Sequence, residues 1–170
     1  MKYTTAAIAL SIGSVLAAPA GSVDKPTTKT YQISKFTTHK SDGITTTSVS
    51  FHIMGQFGLD VLCGQYGIKG ALPPPVFEPN KIYACGPDSD YQQKQFQWSY
   101  VSGDAAAGTP GKLSLWQTVS EFQPSLYGTT TFSEPNDCRE EWKVEGVSFV
   151  KETVCDTPNT AAIDLTSPAQ

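Results

Sequence analysis

The side chains able to do chemistry are few, and four cysteines lead them: Cys63, Cys85, Cys138 and Cys155. A cysteine can serve as nucleophile, metal ligand, redox thiol or half of a disulfide, and spacing and compartment separate these uses. Structural zinc wants close C-x2–4-C pairs or Cys/His clusters. Here the cysteines are spread along the chain and neither His39 nor His52 stands near one, so no metal site and no cofactor is assigned. Their even number fits two disulfides in an oxidising compartment, with the three pairings of four cysteines all open.

The remaining candidates are weaker. A Ser-His-Asp triad would have to use His39, in the turn-like THKSDG, or His52, on the hydroxyl-rich face of a strand. Glycan cleavage needs two carboxylates across a cleft, and Glu121, Glu134, Glu140, Glu141 and Glu145 supply the acids without showing that any two face each other. Asp88 and Asp90 in GPDSD form D-x-D without the rest of a calcium loop, so they are read as turn formers. There is no G-x-S-x-G elbow and no H-E-x-x-H. No catalytic residue is assigned.

The elements that must position these residues begin after the N-terminus. Lys2 precedes the apolar run from Ala6 to Leu16, and small residues follow at Ala17, Ala18 and Ala20. This is the layout of a signal peptide, too short to span a bilayer, placed at residues 1–18 with cleavage between 17 and 20. The expectation is a secreted, extracellular protein without a membrane anchor. A formal net charge of −4 with no Lys/Arg cluster leaves no footprint for nucleic acid or anionic membrane.

Short alternating stretches fill the rest. YQISKF (31–36), GITTTSVSFHIM (43–54), LDVLCG (59–64), IYAC (82–85), QFQWSYV (95–101), KLSLWQTV (112–119) and LYGTTTF (126–132) read as strands, and Val144 to Val154 as a closing one. In LDVLCG the period of two sets Leu59, Val61 and Cys63 on one face and Asp60 and Leu62 on the other. The expected fold is all-β, a single disulfide-stapled antiparallel β-barrel or sandwich, over residues 31–155. A flexible lead is expected over 19–30 and a flexible tail rich in Thr, Ser, Ala and Pro over 156–170. Residues 65–80, QYGIKGALPPPVFEPN, interrupt the pattern with glycines and prolines and predict an ordered excursion with a polyproline II piece. Tyr66 and Phe77 in that excursion are the partner-contact candidates, because rings are hard to bury in a proline-broken loop. The stripe Phe96, Trp98 and Tyr100 reads as core.

The order YxISKF, SFHI, LDVLC, IYACG, FQW, LSLWQ, LYGTTTF and PNDCR, with the four cysteines in place, resembles the Alternaria major allergen family of secreted fungal proteins. The resemblance runs from Tyr31 to about Cys155. It implies a cysteine-stapled β-barrel, sequential pairing of Cys63 with Cys85 and of Cys138 with Cys155, and no enzymatic activity. It also implies an allergen and elicitor of plant defence that acts by binding a host plant protein or a small molecule. The additional N-terminal cysteine that joins protomers in the best-known members is missing, so a monomer or a non-covalent dimer is expected. The alternative class is a carbohydrate-binding or glycan-cleaving β-sandwich.

Overall fold

A computed structural model describes residues 27–65, 76–87, 89–104, 107–119, 125–133, 137–145, 147–157 and 160–167. The signal-peptide expectation, Tyr66, the triple proline, Asp88, Glu121 and Glu134 lie outside them. Among the described residues there are ten strands: β1 Thr28–Lys40, β2 Thr46–Met54, β3 Asp60–Cys63, β4 Tyr83–Ala84, β5 Phe96–Val101, β6 Gly111–Gln117, β7 Leu126–Phe132, β8 Asp137–Glu145, β9 Ser148–Thr157 and β10 Ala161–Thr166. Single 3-10 turns at Gln56–Gly58 and Gln93–Gln95 are the only helical pieces among the described residues.

The strands form one antiparallel sheet in the order β3-β2-β1-β10-β7-β6-β5-β4, curled into a nearly closed barrel. The curl follows from the period-two pattern, since one apolar face per strand must be buried and closing the sheet removes its edges. Ile33, Phe51, Ile53, Trp98, Tyr100, Leu113, Leu115, Ile163 and Leu165 point inward, each 1% exposed or less. Phe36 sits at their centre, with ring centroids 4.6 Å from Phe132, 5.0 Å from Tyr100 and 5.9 Å from Phe51. Burying an aromatic of this size contributes on the order of 2–3 kcal/mol before entropy is counted.

β1 is the strand that organises the barrel. Up to Ile33 its inward residues are Tyr31 and Ile33; beyond it they are Phe36 and Thr38. A bulge shifts the register between Ser34 and Thr37, and Lys35 sits inside it at φ 49°. One extra residue in a ladder bends the strand and changes its partner. Before the bulge β1 pairs with β10, from Thr28↔Thr166 to Ile33↔Ala161. After it β1 pairs with β9, from Phe36↔Thr157 to Lys40↔Thr153. β8 then pairs with β9 alone and forks away from the barrel path.

Four sequence expectations are corrected. The 156–170 segment is not a flexible tail: Asp156 and Thr157 belong to β9, and Ala161–Thr166 is β10, whose Ile163 and Leu165 enter the core. The lead is shorter than 19–30, because β1 starts at Thr28. PNDCREE does not precede a single closing strand over 144–154, since Asp137–Glu145 and Ser148–Thr157 are two strands of a hairpin. His39 lies in β1 rather than in a turn. In these stretches sequence-local polarity suggested loop, and pairing with another strand supplied the backbone hydrogen bonds that made a strand.

Candidate functional site at the barrel seam

The two ends of the sheet, β3 and β4, meet at a seam. Cys63 at the end of β3 and Cys85 just after β4 are joined by a disulfide, both sulfurs fully buried. Around it the indole N–H of Trp98 donates to the Gly64 carbonyl at 3.0 Å, and the Gln93 side-chain amide donates to the Leu62 carbonyl at 3.1 Å. The β2–β3 pairing continues the predicted alternation, with Val61 and Cys63 inward and Asp60 and Leu62 outward.

The excursion leaves and re-enters at this seam, and both of its described ends are held. Gln65 is buried; its side-chain oxygen accepts from the Val49 N–H at 2.9 Å and its amide donates to the Thr47 carbonyl at 3.0 Å. At the return, the Phe77 N–H donates to the same carbonyl at 3.3 Å. Phe77 is 5% exposed and stacks at 5.9 Å on Tyr83 and 6.4 Å on Trp98. The Tyr83 hydroxyl accepts from the Glu78 N–H at 2.5 Å. Phe77 is therefore a core anchor and not a contact residue. The excursion needs such an anchor, because without one its backbone would pay the full entropy of ordering for no buried area. Tyr66 lies outside the described residues.

Among the described residues, Leu62, Val76, Ile82 and Tyr91 are exposed in this region. Lys81 pairs with Glu78 at 2.5 Å beside them. Leu62 was legible as an outward residue of LDVLCG. Gln65 carried no sequence signal, because a buried glutamine is recognised only by the distant backbone groups it satisfies.

The other chemistry-bearing residues are engaged structurally. His52 Nδ1 lies 2.6 Å from Asp60 Oδ1. Ser34 is beside His52 in register, but its hydroxyl donates to the Met54 sulfur at 3.2 Å. His39 Nδ1 lies 3.0 Å from Glu152 Oε1. Glu141 is opposed in register to Glu152, and Arg139 takes Glu141 at 2.5 Å and also Asp156. Arg139 and the Thr37 hydroxyl together hold the Asp156 carboxyl below the usual carboxylate range. Glu140 pairs with Lys151 at 2.6 Å. These contacts tie β8 to β9 and β9 to β1. Asp90 accepts from the Gln92 and Gln93 N–H groups, a turn-forming role. Cys138 and Cys155, directly opposed in β8 and β9, form the second disulfide. Among the described residues no cluster of His, Cys, Asp and Glu could hold a metal ion, and no helix is long and apolar enough to cross a membrane.

A β-barrel with Cys63 paired to Cys85 and Cys138 to Cys155 is what the resemblance implies. The family model for Alternaria alternata allergen 1 matches residues 33–157. The chain belongs to that family. The crystal structure of Alternaria alternata allergen Alt a 1 is similar to it with a TM-score of 0.52 at 25% identity, over 84% of this chain and 92% of that one. A crystal structure of the Alternaria alternata major allergen Alt a 1 gives 0.54 at 25% identity, over 84% and 96%. No curated protein matches the chain. Membership of the allergen 1 family makes this an allergen-like fungal protein.

Proposed function

We propose that the protein is secreted and acts by binding, without catalysis, engaging a host plant protein or a small molecule through the seam and its excursion and thereby eliciting or modulating plant defence. The observation that carries this reading is the double clamp on Thr47. Two buried groups, Gln65 and Phe77, fix the ends of a proline-rich excursion on a disulfide-closed barrel, with Leu62, Val76, Ile82 and Tyr91 exposed around them. Recognition loops on a rigid scaffold lose less entropy on binding than free ones. Secretion rests on the leader at residues 1–18, so protein collected from medium is expected to begin between Ala18 and Gly21.

The test is leaf infiltration with folded variants. Shortening the excursion within residues 66–75, which spares Gln65 and Phe77, should lower the defence response several-fold, because a few anchors dominate a binding surface. Single changes Glu140→Ala, Glu141→Ala, His39→Ala and His52→Ala should leave most of it, whereas loss of a general acid or base costs orders of magnitude. A folded carboxylate variant without activity, beside a fully active shortened variant, would overturn the reading.

A further inference from the structure

Phe57 is placed against both of the forces that usually place an aromatic ring. It sits at φ 60° and is followed by Gly58 at φ 76°, while the Leu59 N–H donates to the Gln56 carbonyl at 3.3 Å. Two left-handed residues inside a closed four-residue turn fit type I′, whose first central position favours Asn, Asp or Gly. A side chain as bulky as phenylalanine is an outlier there. Burial does not compensate, because Phe57 is 103% exposed. The turn itself is fixed. The Gly55 N–H donates to the Leu59 carbonyl at 3.0 Å, and a Cβ on Gly55 would lie 3.0 Å from both Tyr31 and Leu59. A strained, uncovered ring on a fixed turn points to a role outside folding.

Beside Phe57 in the chain, Met54, Gly55 and Gln56 join Thr30, Gln32 and Thr160 to line a shallow groove of about 500 Å³. Its size is that of a small-ligand site. It lies by the β2–β3 turn, at the opposite end of β3 from the Cys63–Cys85 disulfide, and is separate from the seam. No charged side chain lines it. Asp164 accepts from the Thr30 hydroxyl at 2.6 Å, and Asp60, opposed to Met54, lies 2.6 Å from His52. The Gln32 and Gln56 side chains are exposed, and their amides have no hydrogen-bond partner among the described residues.

We propose that this groove binds a neutral glycan, with the C–H face of a hexose ring against Phe57 and Met54 and its hydroxyls on Gln32, Gln56 and Thr160. Side-chain amides and hydroxyls both donate and accept, as sugar hydroxyls do. The electron-rich face of an aromatic ring takes C–H groups. Other ligand classes fit less well. An ion finds no counter-charge in the lining, and a wholly apolar molecule would cover both amides without pairing them, which costs free energy. A ring already held on a fixed turn loses little entropy on binding. Strain at Phe57 and the uncharged groove thus have one common explanation, and it does not depend on the seam.

Isothermal titration of the mature chain with cellohexaose, laminarihexaose and mannohexaose, and with oligogalacturonate as the anionic control, tests this. At least one neutral hexaose should bind saturably, and oligogalacturonate should not. Phe57→Asn should weaken that binding at least about tenfold and at the same time raise the urea midpoint, because asparagine accepts the left-handed turn. Gln32→Ala should weaken binding several-fold at an unchanged midpoint, and shortening the excursion within residues 66–75 should leave binding intact. Absence of binding by all three neutral hexaoses overturns the proposal, as does equal binding of oligogalacturonate. Binding indifferent to both Phe57→Asn and Gln32→Ala places the glycan elsewhere and overturns it equally. A lowered midpoint for Phe57→Asn would show that the ring serves folding, and Phe57-dependent flotation with phosphatidylcholine vesicles in place of glycan binding would assign it to lipid; either result overturns the proposal.

Discussion

The Gln65 side-chain amide and the Phe77 backbone N–H donate to one acceptor, the Thr47 carbonyl, at 3.0 and 3.3 Å. Residues on opposite sides of the excursion are thereby tied to one point of β2, so the stability of that point and the placing of the excursion are coupled.

Phe77→Ala should destabilise the protein by about 3–5 kcal/mol, the range for a buried aromatic whose removal leaves a cavity. Gln65→Ala leaves the buried Val49 N–H without its acceptor and should cost about 1–3 kcal/mol. Urea midpoints at constant slope measure both, and limited proteolysis should cut earlier between residues 65 and 77 in either variant. An unchanged midpoint for Phe77→Ala would show that its ring is not part of the core.

The disulfides should differ in accessibility. Cys63 and Cys85 are both fully buried, whereas Cys138 is exposed beside its buried partner Cys155. Thiol exchange needs a sulfur the attacking thiolate can reach. Under graded reductant without denaturant, differential alkylation should therefore label Cys138 and Cys155 before Cys63 and Cys85. Removing the seam disulfide by Cys63→Ser should cost roughly 2–5 kcal/mol.

Gly128 of β7 should tolerate no side chain. A Cβ there would lie 2.2 Å from the Asp164 carbonyl oxygen and 2.8 Å from Leu165 of β10. Gly128→Ala should therefore push β10 from β7 at a cost of about 1–3 kcal/mol. Amide exchange across Ala161–Thr166 should accelerate more than elsewhere. Equal protection in variant and parent would mean that the two strands are not in this contact.

Acid sensitivity should trace to two aspartates. Asp42 accepts from the Thr45 hydroxyl and from the N–H groups of Thr45 and Ile44, which lowers its pKa to about 2. Asp156 is lowered mainly by Arg139. A carboxyl depressed on folding adds stability above its unfolded pKa of about 3.9, and the addition is lost as pH falls through the folded value. Stability should thus decline from about pH 4 toward pH 2. Asp42→Ala should be less stable at neutral pH and lose less over that window, measured by denaturant midpoints at each pH.

Much of the barrel was legible in the chain. Phe96, Trp98 and Tyr100 at spacing two, and Val61 with Cys63 in LDVLCG, announce inward faces, because a strand buries one side and the hydrophobic effect selects it locally. The resemblance to the allergen family added the stapled barrel and the sequential pairing of the cysteines. The site was less legible. Phe77 reads as a loop aromatic until Tyr83 and Trp98 are seen to stack around it, and Gln65 shows no pattern at all.

The sequence by itself determined the all-β class, the oxidised cysteines and which faces of β2, β3 and β5 are buried, since each depends on residue types within a few positions. Only the tertiary structure decided that Ala161–Thr166 enters the barrel between β1 and β7, that the seam closes on Thr47, and that β8 and β9 run on past β1 with Trp142 and Phe149 uncovered. Those outcomes depend on hydrogen bonds and packing between residues distant along the chain, from Gln65 with Thr47 to Thr30 with Asp164. Pairing energy of that kind is invisible to any local window.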